Sequence, residues 1–285
     1  MKLSIYIPTL ARNELFERAL RSINRSIAFA ERAGTALPDD AYEIVIVENV
    51  RPVSKARNEG LSRTSGNWIA TVDSDDEVTE DWFSEICQAI RHVEQEALAV
   101  DDIMFDMTVV RGNREIPHRY VRQGLIRATE VVGDVLRNMR LGGHLVRHVM
   151  RKSLWNDVRF EDVPVMEDVL ALSHALGKAR NVLHVPKELY RYIERDGSLC
   201  RETSCRVFFE IFKSYARRFG RSAAIGACVA AYGCLYDNDN VNGEARRWIR
   251  RHLWQVLCDK AVPNKWKVKF FLASLGILIR RPMPK

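Results

Sequence analysis

Three carboxylates, Asp73, Asp75 and Asp76, surround Ser74 directly after the apolar run Trp68-Ile69-Ala70-Thr71-Val72. Carboxylates crowded in this way repel one another unless a cation lies between them. Mg²⁺ and Mn²⁺ take oxygen ligands, commonly one or two carboxylates with substrate phosphates filling the remaining positions. The end of a buried strand is also where open α/β sheets bind ligands. The spacing therefore predicts a divalent metal carrying phosphates. The competing reading is a helix N-terminus, where acids suit the first turn. That reading accounts for Glu80 and Asp81 but not for Asp73 and Asp75, which lie upstream of the cap. A second acidic pair, Glu167-Asp168, precedes Leu170, Leu172 and Leu176. Adjacent residues at a helix start point in different directions, so one can face a cleft while the other caps or orients. In isolation the pair reads as acids of a first helical turn.

The elements that must hold these residues follow an α/β pattern. Leu3, Ile5 and Ile7 form a first strand closed by Pro8-Thr9. Asn13 caps a helix with apolar positions Leu15, Ala19, Leu20, Ile23 and Ile27, stopped at Gly34. Residues 44–47 are a β-branched run suited to a parallel strand buried on both faces. A short helix over 55–63 and a strand over 68–72 complete a doubly wound, Rossmann-like start. Beyond it, segments 103–111 and 115–121 flank Gly112-Asn113 as a hairpin. A helix over 129–138, a strand over 144–150, a helix over 166–176 and strands over 182–185 and 189–193 follow. From about residue 203 the pattern is helical, with Asp237-Asn238-Asp239-Asn240 as a loop. The expected division is a catalytic domain over 1–200 and a helical region over 201–285.

The chain has 285 residues, is 47% hydrophobic and carries a formal charge of +7, which suits an anionic partner. A nucleotide or a phospholipid surface fits; no DNA- or RNA-binding motif appears. Six scattered cysteines without a C-x-x-C pair suggest reduced thiols. No basic segment followed by a long apolar run opens the sequence, and the longest apolar run, 270–279, is short of the roughly 18–20 residues needed to span a bilayer. The expectation is a cytoplasmic protein. Residues 246–285 hold eleven Lys and Arg against one acid, Asp259, interleaved with Trp248, Trp254, Trp266, Phe270 and Phe271. Such a tail suits peripheral contact with an anionic membrane, or a helix packed with a solvated basic face.

The ordered motifs resemble family-2 glycosyltransferases with the GT-A fold. Ser4-Ile5-Tyr6-Ile7-Pro8-Thr9 resembles their first strand. Val53-Ser54-Lys55-Ala56-Arg57-Asn58-Glu59-Gly60-Leu61 resembles their V-S-x-A-R-N-x-G-L segment. Val72-Asp73-Ser74-Asp75-Asp76 resembles the D-x-D that comes next, and Val165-Met166-Glu167-Asp168-Val169 the later E-D motif. Tyr190-Arg191-Tyr192 with Gly197-Ser198 resembles the segment closing the catalytic domain. The resemblance implies inverting transfer of a sugar from a nucleotide diphosphosugar, with Mn²⁺ or Mg²⁺. It implies Asp75 as metal ligand, Asp73 beside it and nearer the ribose, and Asp76 assisting the metal or positioning the donor sugar. Arg57 suits a phosphate or base-edge contact, within a donor site that takes in Pro8, Thr9, Asn58 and Ser74. Asp168 is favoured as the base on the acceptor hydroxyl, with Glu167 its partner.

The sequence departs from the family after the second strand. Glu48-Asn49 stands where V-D-D-G-S is usual, and the chain runs almost directly into Val53. Glu48 and Asn49 can still hydrogen-bond a base, and UDP is the favoured nucleotide. Q-x-x-R-W, the signature of processive synthases, is absent, which argues for addition of a single sugar. The expected acceptor is a glycan or a lipid-linked one in lipopolysaccharide or capsule synthesis at the inner face of the cytoplasmic membrane. His144 and His148 are candidate further metal ligands. Arg191, Arg195 and Arg201 around Gly197-Ser198 suggest a lid over a diphosphate. The alternatives are a sugar nucleotidyltransferase, opposed by the lack of a glycine-rich phosphate loop after the first strand, and an inactive nucleotide-binding scaffold.

Overall fold

The computed structural model describes residues 2–139, 143–195, 203–235 and 242–278. Gly197, Ser198, Arg201, the 237–240 loop and Arg280, Arg281 and Lys285 lie outside the described residues. The chain divides into two compact units, residues 1–132 with 143–196, and residues 133–142 with 197–285.

In the first unit the apolar strand β1 (Leu3–Thr9) is buried along its whole length. It lies between parallel neighbours, β2 (Tyr42–Glu48) on one side and β3 (Trp68–Thr71) on the other. Parallel pairing aligns strand ends. Thr9 lies opposite Glu48 and Tyr6 opposite Thr71, so Pro8-Thr9, Glu48-Asn49 and the carboxylates after β3 emerge along one edge. The sheet then becomes mixed. β8 (His148–Arg151) runs antiparallel to β3 and to β5 (Asp102–Arg111), and β9 (Asn181–Glu194) runs parallel to β5. The two-residue β4 (Glu77–Val78) pairs with β9. β6 (Arg114–His118) forms the expected hairpin with β5, and β7 (Gly124–Arg127) pairs with β9.

Side-chain alternation sorts the two faces of β1. Ile5 and Ile7 join a core with Phe16 and Ile23 of α1 (Glu14–Arg32) and Trp82, Phe83, Ile86 and Ile90 of α3 (Trp82–Gln95). The Asn13 side chain accepts the Phe16 N–H at 3.1 Å, as its capping role requires. Tyr6 points the other way, toward α2 (Val53–Arg63). A Cβ on Gly60 of α2 would stand 2.5 Å from the Tyr6 ring. Gly60 is therefore what lets α2 lie against β1. Gly60→Ala should destabilise the protein by about 1–3 kcal/mol through overpacking, read as a lower chemical-denaturation midpoint; an unchanged midpoint would show that the Tyr6 ring can move aside.

The middle of the chain differs from its sequence pattern in two places. Residues 145–147 form a 3-10 turn and only His148–Arg151 extend as β8, because Arg147 is drawn into the interior to bond Asp106 and the Phe105 carbonyl oxygen. The two strands expected at 182–185 and 189–193 are one strand, β9, with a register shift at Phe105/Asp106 of β5 that absorbs Pro186 and Lys187. The helices α4 (Ala128–Arg137) and α5 (Glu167–Leu176) lie within a residue of expectation.

Among the described residues the second unit is built from the end of α4, from Gly133, with α6 (Cys205–Phe219), α7 (Arg221–Cys234), α8 (Asn242–Cys258) and α9 (Asn264–Ser274). Phe209, Phe212, Tyr215, Ile225, Ile249 and Phe270 are buried. The aromatic residues of the tail split between two roles. Phe270 is a core residue, with Trp266 stacked on it, whereas Trp254 is 76% exposed.

Candidate active site

β3 ends at Thr71 and the chain turns at once, with the Asp76 N–H donating to the Asp73 carbonyl oxygen at 3.2 Å. The Asp76 carboxylate is 1% exposed. It accepts the Tyr190 hydroxyl at 2.9 Å and the Ile193 N–H at 2.7 Å. The Tyr190 oxygen in turn accepts the Asp73 N–H at 3.1 Å. β9 thereby fixes the acidic turn, and Asp76 serves as its anchor, with both oxygens engaged by β9. Burial raises the Asp76 carboxyl well above its ordinary range, and repulsion from Asp73 and Asp75 adds to it. Burial, with the adjoining Asp76, raises the Tyr190 hydroxyl likewise. Sequence reasoning named Tyr190 only as part of a closing segment. The available signal was Tyr190 and Tyr192 at alternate positions of a strand pattern, which places them on one face.

Asp73, Ser74 and Asp75 remain partly exposed. The Asp75 carboxylate is paired with Arg195, and its backbone oxygen accepts from Arg18 at 3.2 Å. Arg195, expected near a diphosphate, thus meets the acidic turn itself.

α2 delivers Arg57, 6% exposed, to the centre of the site. Its Nη2 donates to Asp73 Oδ1 at 3.1 Å, and its Nε lies 3.3 Å from Glu167 Oε1. Burial opposes the guanidinium charge, but Asp73 and Glu167 outweigh it and hold the group above its ordinary value. Nε and Nη1 are buried and make no hydrogen bond among the described residues. The guanidinium also faces the Phe160 ring, 5.8 Å from its centroid. Asn58 explains why Phe160 is there. Its side chain donates to the Phe160 carbonyl oxygen and accepts the Phe160 N–H, each at 2.9 Å. Asn58 therefore clamps a loop more than a hundred residues away, a role that sequence spacing does not reveal.

Met166, with φ 64° and ψ 25°, turns the chain into α5 through the left-handed region. Such a conformation is uncommon for a non-glycine residue and marks a position the surroundings over-determine. It sets Glu167 against Arg57. Asp168 is partly buried, and its Oδ1 accepts the Val169 N–H at 2.8 Å. Burial first, and then the charge of Glu167, raise the Asp168 carboxyl to about 7, against the pull of Arg57. Burial likewise pushes the Tyr6 hydroxyl up to about 12, with Arg57 pulling it down. Asp73 is raised by burial, with Arg57 lowering it and Asp75 raising it.

The other edge residues make local bonds. Pro8 lies opposite Val47 in the β1–β2 register. The Thr9 hydroxyl donates to the Ala11 carbonyl oxygen at 2.9 Å, and the Thr9 carbonyl oxygen accepts the Asn49 N–H at 2.9 Å. Asn49 sits at φ 59°, and Glu48 pairs with Arg12 at 3.0 Å. The histidines do not join the acidic turn. His148 is fully buried and bonds Asp102 at 2.7 Å within the sheet. His144 packs against His118 and Tyr192, with burial and Arg147 holding it at about 3. Arg191 pairs with Glu115 at 2.7 Å.

The donor set suits a hard cation in one respect. Asp75 adds to the elevation of the Asp73 carboxyl, and Asp73 and Asp75 add to that of Asp76; a divalent ion relieves such crowding. Among the described residues no three His, Cys, Asp or Glu side chains are arranged to hold a metal alone. Asp75 and Asp73 are the carboxylates that would hold such an ion, with further donors from a ligand.

Residues 48–108 match the family described as glycosyl transferase family 2. The succinoglycan biosynthesis protein ExoO of Rhizobium meliloti is 26% identical over 171 residues, covering 58% of this chain and 49% of ExoO. The glycosyltransferase GlyG of Streptococcus pneumoniae is 24% identical over 174 residues, covering 58% of this chain and 56% of GlyG. The chain thus matches about half the length of these curated relatives. In structure it resembles S. aureus TarS in complex with UDP-GlcNAc, with a TM-score of 0.62 at 16% identity over 96% of this chain and 88% of that one. The same TarS fragment without a named ligand gives 0.60 at 15% identity over 96% and 87%. The shared fold is GT-A.

Proposed function

We propose that this family-2 glycosyltransferase chain moves a single sugar from a nucleotide diphosphosugar to a hydroxyl of a glycan or lipid-linked acceptor, with inversion. One observation carries the reading. A single buried guanidinium, Arg57, binds Asp73 of the acidic turn and Glu167 beside Asp168, which gathers the two acidic motifs into one site. UDP is the nucleotide we favour, in keeping with the UDP-GlcNAc complex of the TarS neighbour. Surface-polysaccharide synthesis is the context, in keeping with ExoO.

The geometry supports the following roles. Asp168, raised to about 7, is ionised in a large fraction near neutral pH and still basic enough to take a proton. It accepts the proton of the acceptor hydroxyl as that oxygen forms its bond to the anomeric carbon. The bond from that carbon to the diphosphate breaks on the opposite face. Glu167 keeps the Asp168 carboxyl basic and orients Arg57 through Nε, leaving Nη1 without a hydrogen-bond partner among the described residues and suited to a phosphate or base oxygen. Asp75 and Asp73 are the residues that would hold Mn²⁺ or Mg²⁺. Such an ion neutralises charge on a departing diphosphate. Pro8, Thr9, Glu48 and Asn49 line the same sheet edge and form the base and ribose side of the proposed donor site.

We also assign the second unit a peripheral contact with anionic membrane at the cytoplasmic face. Trp254, Phe271, Leu275 and Ile277 are exposed beside a strongly basic run. Among the described residues no helix is long and apolar enough to cross a membrane.

Thermal denaturation with UDP, GDP, CDP or ADP, each with Mn²⁺, Mg²⁺ or EDTA, tests the donor site. A ligand of the folded state at a hundred times its Kd stabilises it by about 2.7 kcal/mol. UDP with metal should raise Tm, and Asp75→Ala should remove the metal-dependent part of the rise. No shift with any nucleotide would favour a scaffold that does not bind donors.

A further inference from the structure

The second unit contains a groove of about 400 Å³ that the transfer reaction does not use. Its walls come from regular helical spacing. Lys213, Ala216, Arg217 and Gly220 lie on one face of α6 and at its end, and Trp248, Arg251, His252 and Gln255 on one face of α8, each set at i, i+3, i+4 and i+7. The first turn of α7 closes the groove with Arg221 and Ala224. No acidic side chain lines it.

The cations are unevenly committed. Lys213 is held by Glu210 and Glu244, and Arg221 donates to the Gln255 carbonyl oxygen at 2.8 Å. Arg217 and Arg251 are exposed and make no ion pair among the described residues. Trp248 and His252 pack with ring centroids 4.3 Å apart, their planes tilted by 52°, and form an aromatic wall. Both His252 ring nitrogens are buried without a hydrogen-bond partner among the described residues, as is Gln255 Oε1. Burial and the charge of Arg251 lower the His252 pKa. Unpartnered buried polar atoms are costly, and a cavity that gathers them beside like charges suits an anion. A helix N-terminus at the closed end, that of α7, adds to the positive field.

We propose that this groove is a binding site for a phosphate-bearing anion, held by Arg217, Arg251 and Arg221 with His252 as a further donor. Guanidinium groups bind phosphate through paired, charge-assisted hydrogen bonds, and the Trp248 face can carry an apolar portion attached to the phosphate. The groove shares no residue with the proposed donor site, since its lining belongs wholly to the second unit.

The test uses the full chain in EDTA and inorganic pyrophosphate, followed by isothermal titration calorimetry. Wild-type protein should bind, and Arg217→Gln/Arg251→Gln, two exposed positions, should weaken binding about tenfold or more. Arg195→Gln, at the acidic turn, should leave this binding unchanged. Circular dichroism and Tm establish that the variants are folded. Phosphatidylcholine vesicles with and without phosphatidic acid distinguish the source of the phosphate. Capture by the acidic vesicles that pyrophosphate competes away marks a lipid headgroup, and pyrophosphate binding without vesicle capture marks a soluble phosphate. Absence of pyrophosphate binding, or equal affinity in wild type and the double variant, would overturn the proposal.

Discussion

Asp168→Asn should reduce sugar transfer by about 10²- to 10⁴-fold while leaving nucleotide binding intact, because it removes the proton acceptor and nothing in the acidic turn. Initial rates with a fixed acceptor, alongside nucleotide titrations, make the comparison. Transfer at close to the wild-type rate would remove Asp168 as the base. The wild-type rate should rise with pH through about 7, where the Asp168 carboxyl loses its proton. Glu167→Gln should move that limb to lower pH, since the Glu167 charge is the second cause of the elevation after burial. The apparent midpoint belongs to the pair rather than to one residue. The same elevation has a consequence for stability. Between about 3.8, the ordinary value, and about 7, the folded state holds a proton that the unfolded chain has released. Stability contributed at this position therefore falls as pH rises through that window. Asp168→Asn should stabilise the protein by roughly 1–3 kcal/mol above pH 7 and have little effect below pH 4. A variant that gained nothing at high pH would mean that solvent reaches Asp168 and keeps it near its ordinary range.

Arg57→Met should destabilise the fold by about 3–5 kcal/mol, the usual cost of removing one partner from a buried ionic cluster. Asp73 and Glu167 would be left facing each other beside Asp168 without the cation that now compensates them. Their carboxyls would rise further, so the variant should recover part of its stability as pH falls and they take up protons. Arg57→Lys should lie in between, because an ammonium is a compact charge that does not present the guanidinium fork to two carboxylates. Urea unfolding at neutral and acidic pH measures all three. A wild-type midpoint for Arg57→Met would show that water, not Arg57, compensates the acids.

Much of the first unit was legible because local patterns and tertiary placement agree there. β1 is buried between parallel neighbours on both sides, β3 lies between parallel β1 and antiparallel β8, and the Asn13 cap acts within its own helix; β2, expected to be buried on both faces, is instead the half-buried edge strand of the sheet. Agreement ended where long-range partners overrode local pattern. Residues 144–150 read as a strand, but the pull of Asp106 on Arg147 coils their first half. Residues 181–194 read as two strands because Pro186 interrupts them, yet the register shift against β5 keeps one strand continuous. β4 is too short to carry a periodic signal and exists only because β9 pairs with it.

The sequence by itself determined which acids stand after β3 and at the start of α5, and that their order resembles a family. Residue type and spacing are local properties, and a strand end followed by carboxylates needs no partner to be recognised. Only the tertiary structure decided how those acids are used. It assigned Asp76 to Tyr190 and the backbone of β9, Asn58 to the backbone of Phe160, and Arg57 to both Asp73 and Glu167. It also separated the tail aromatics into core and surface, and set two helix faces of cations around one groove. Burial and charge proximity fix a carboxylate's proton affinity, and both are set by residues distant in the chain.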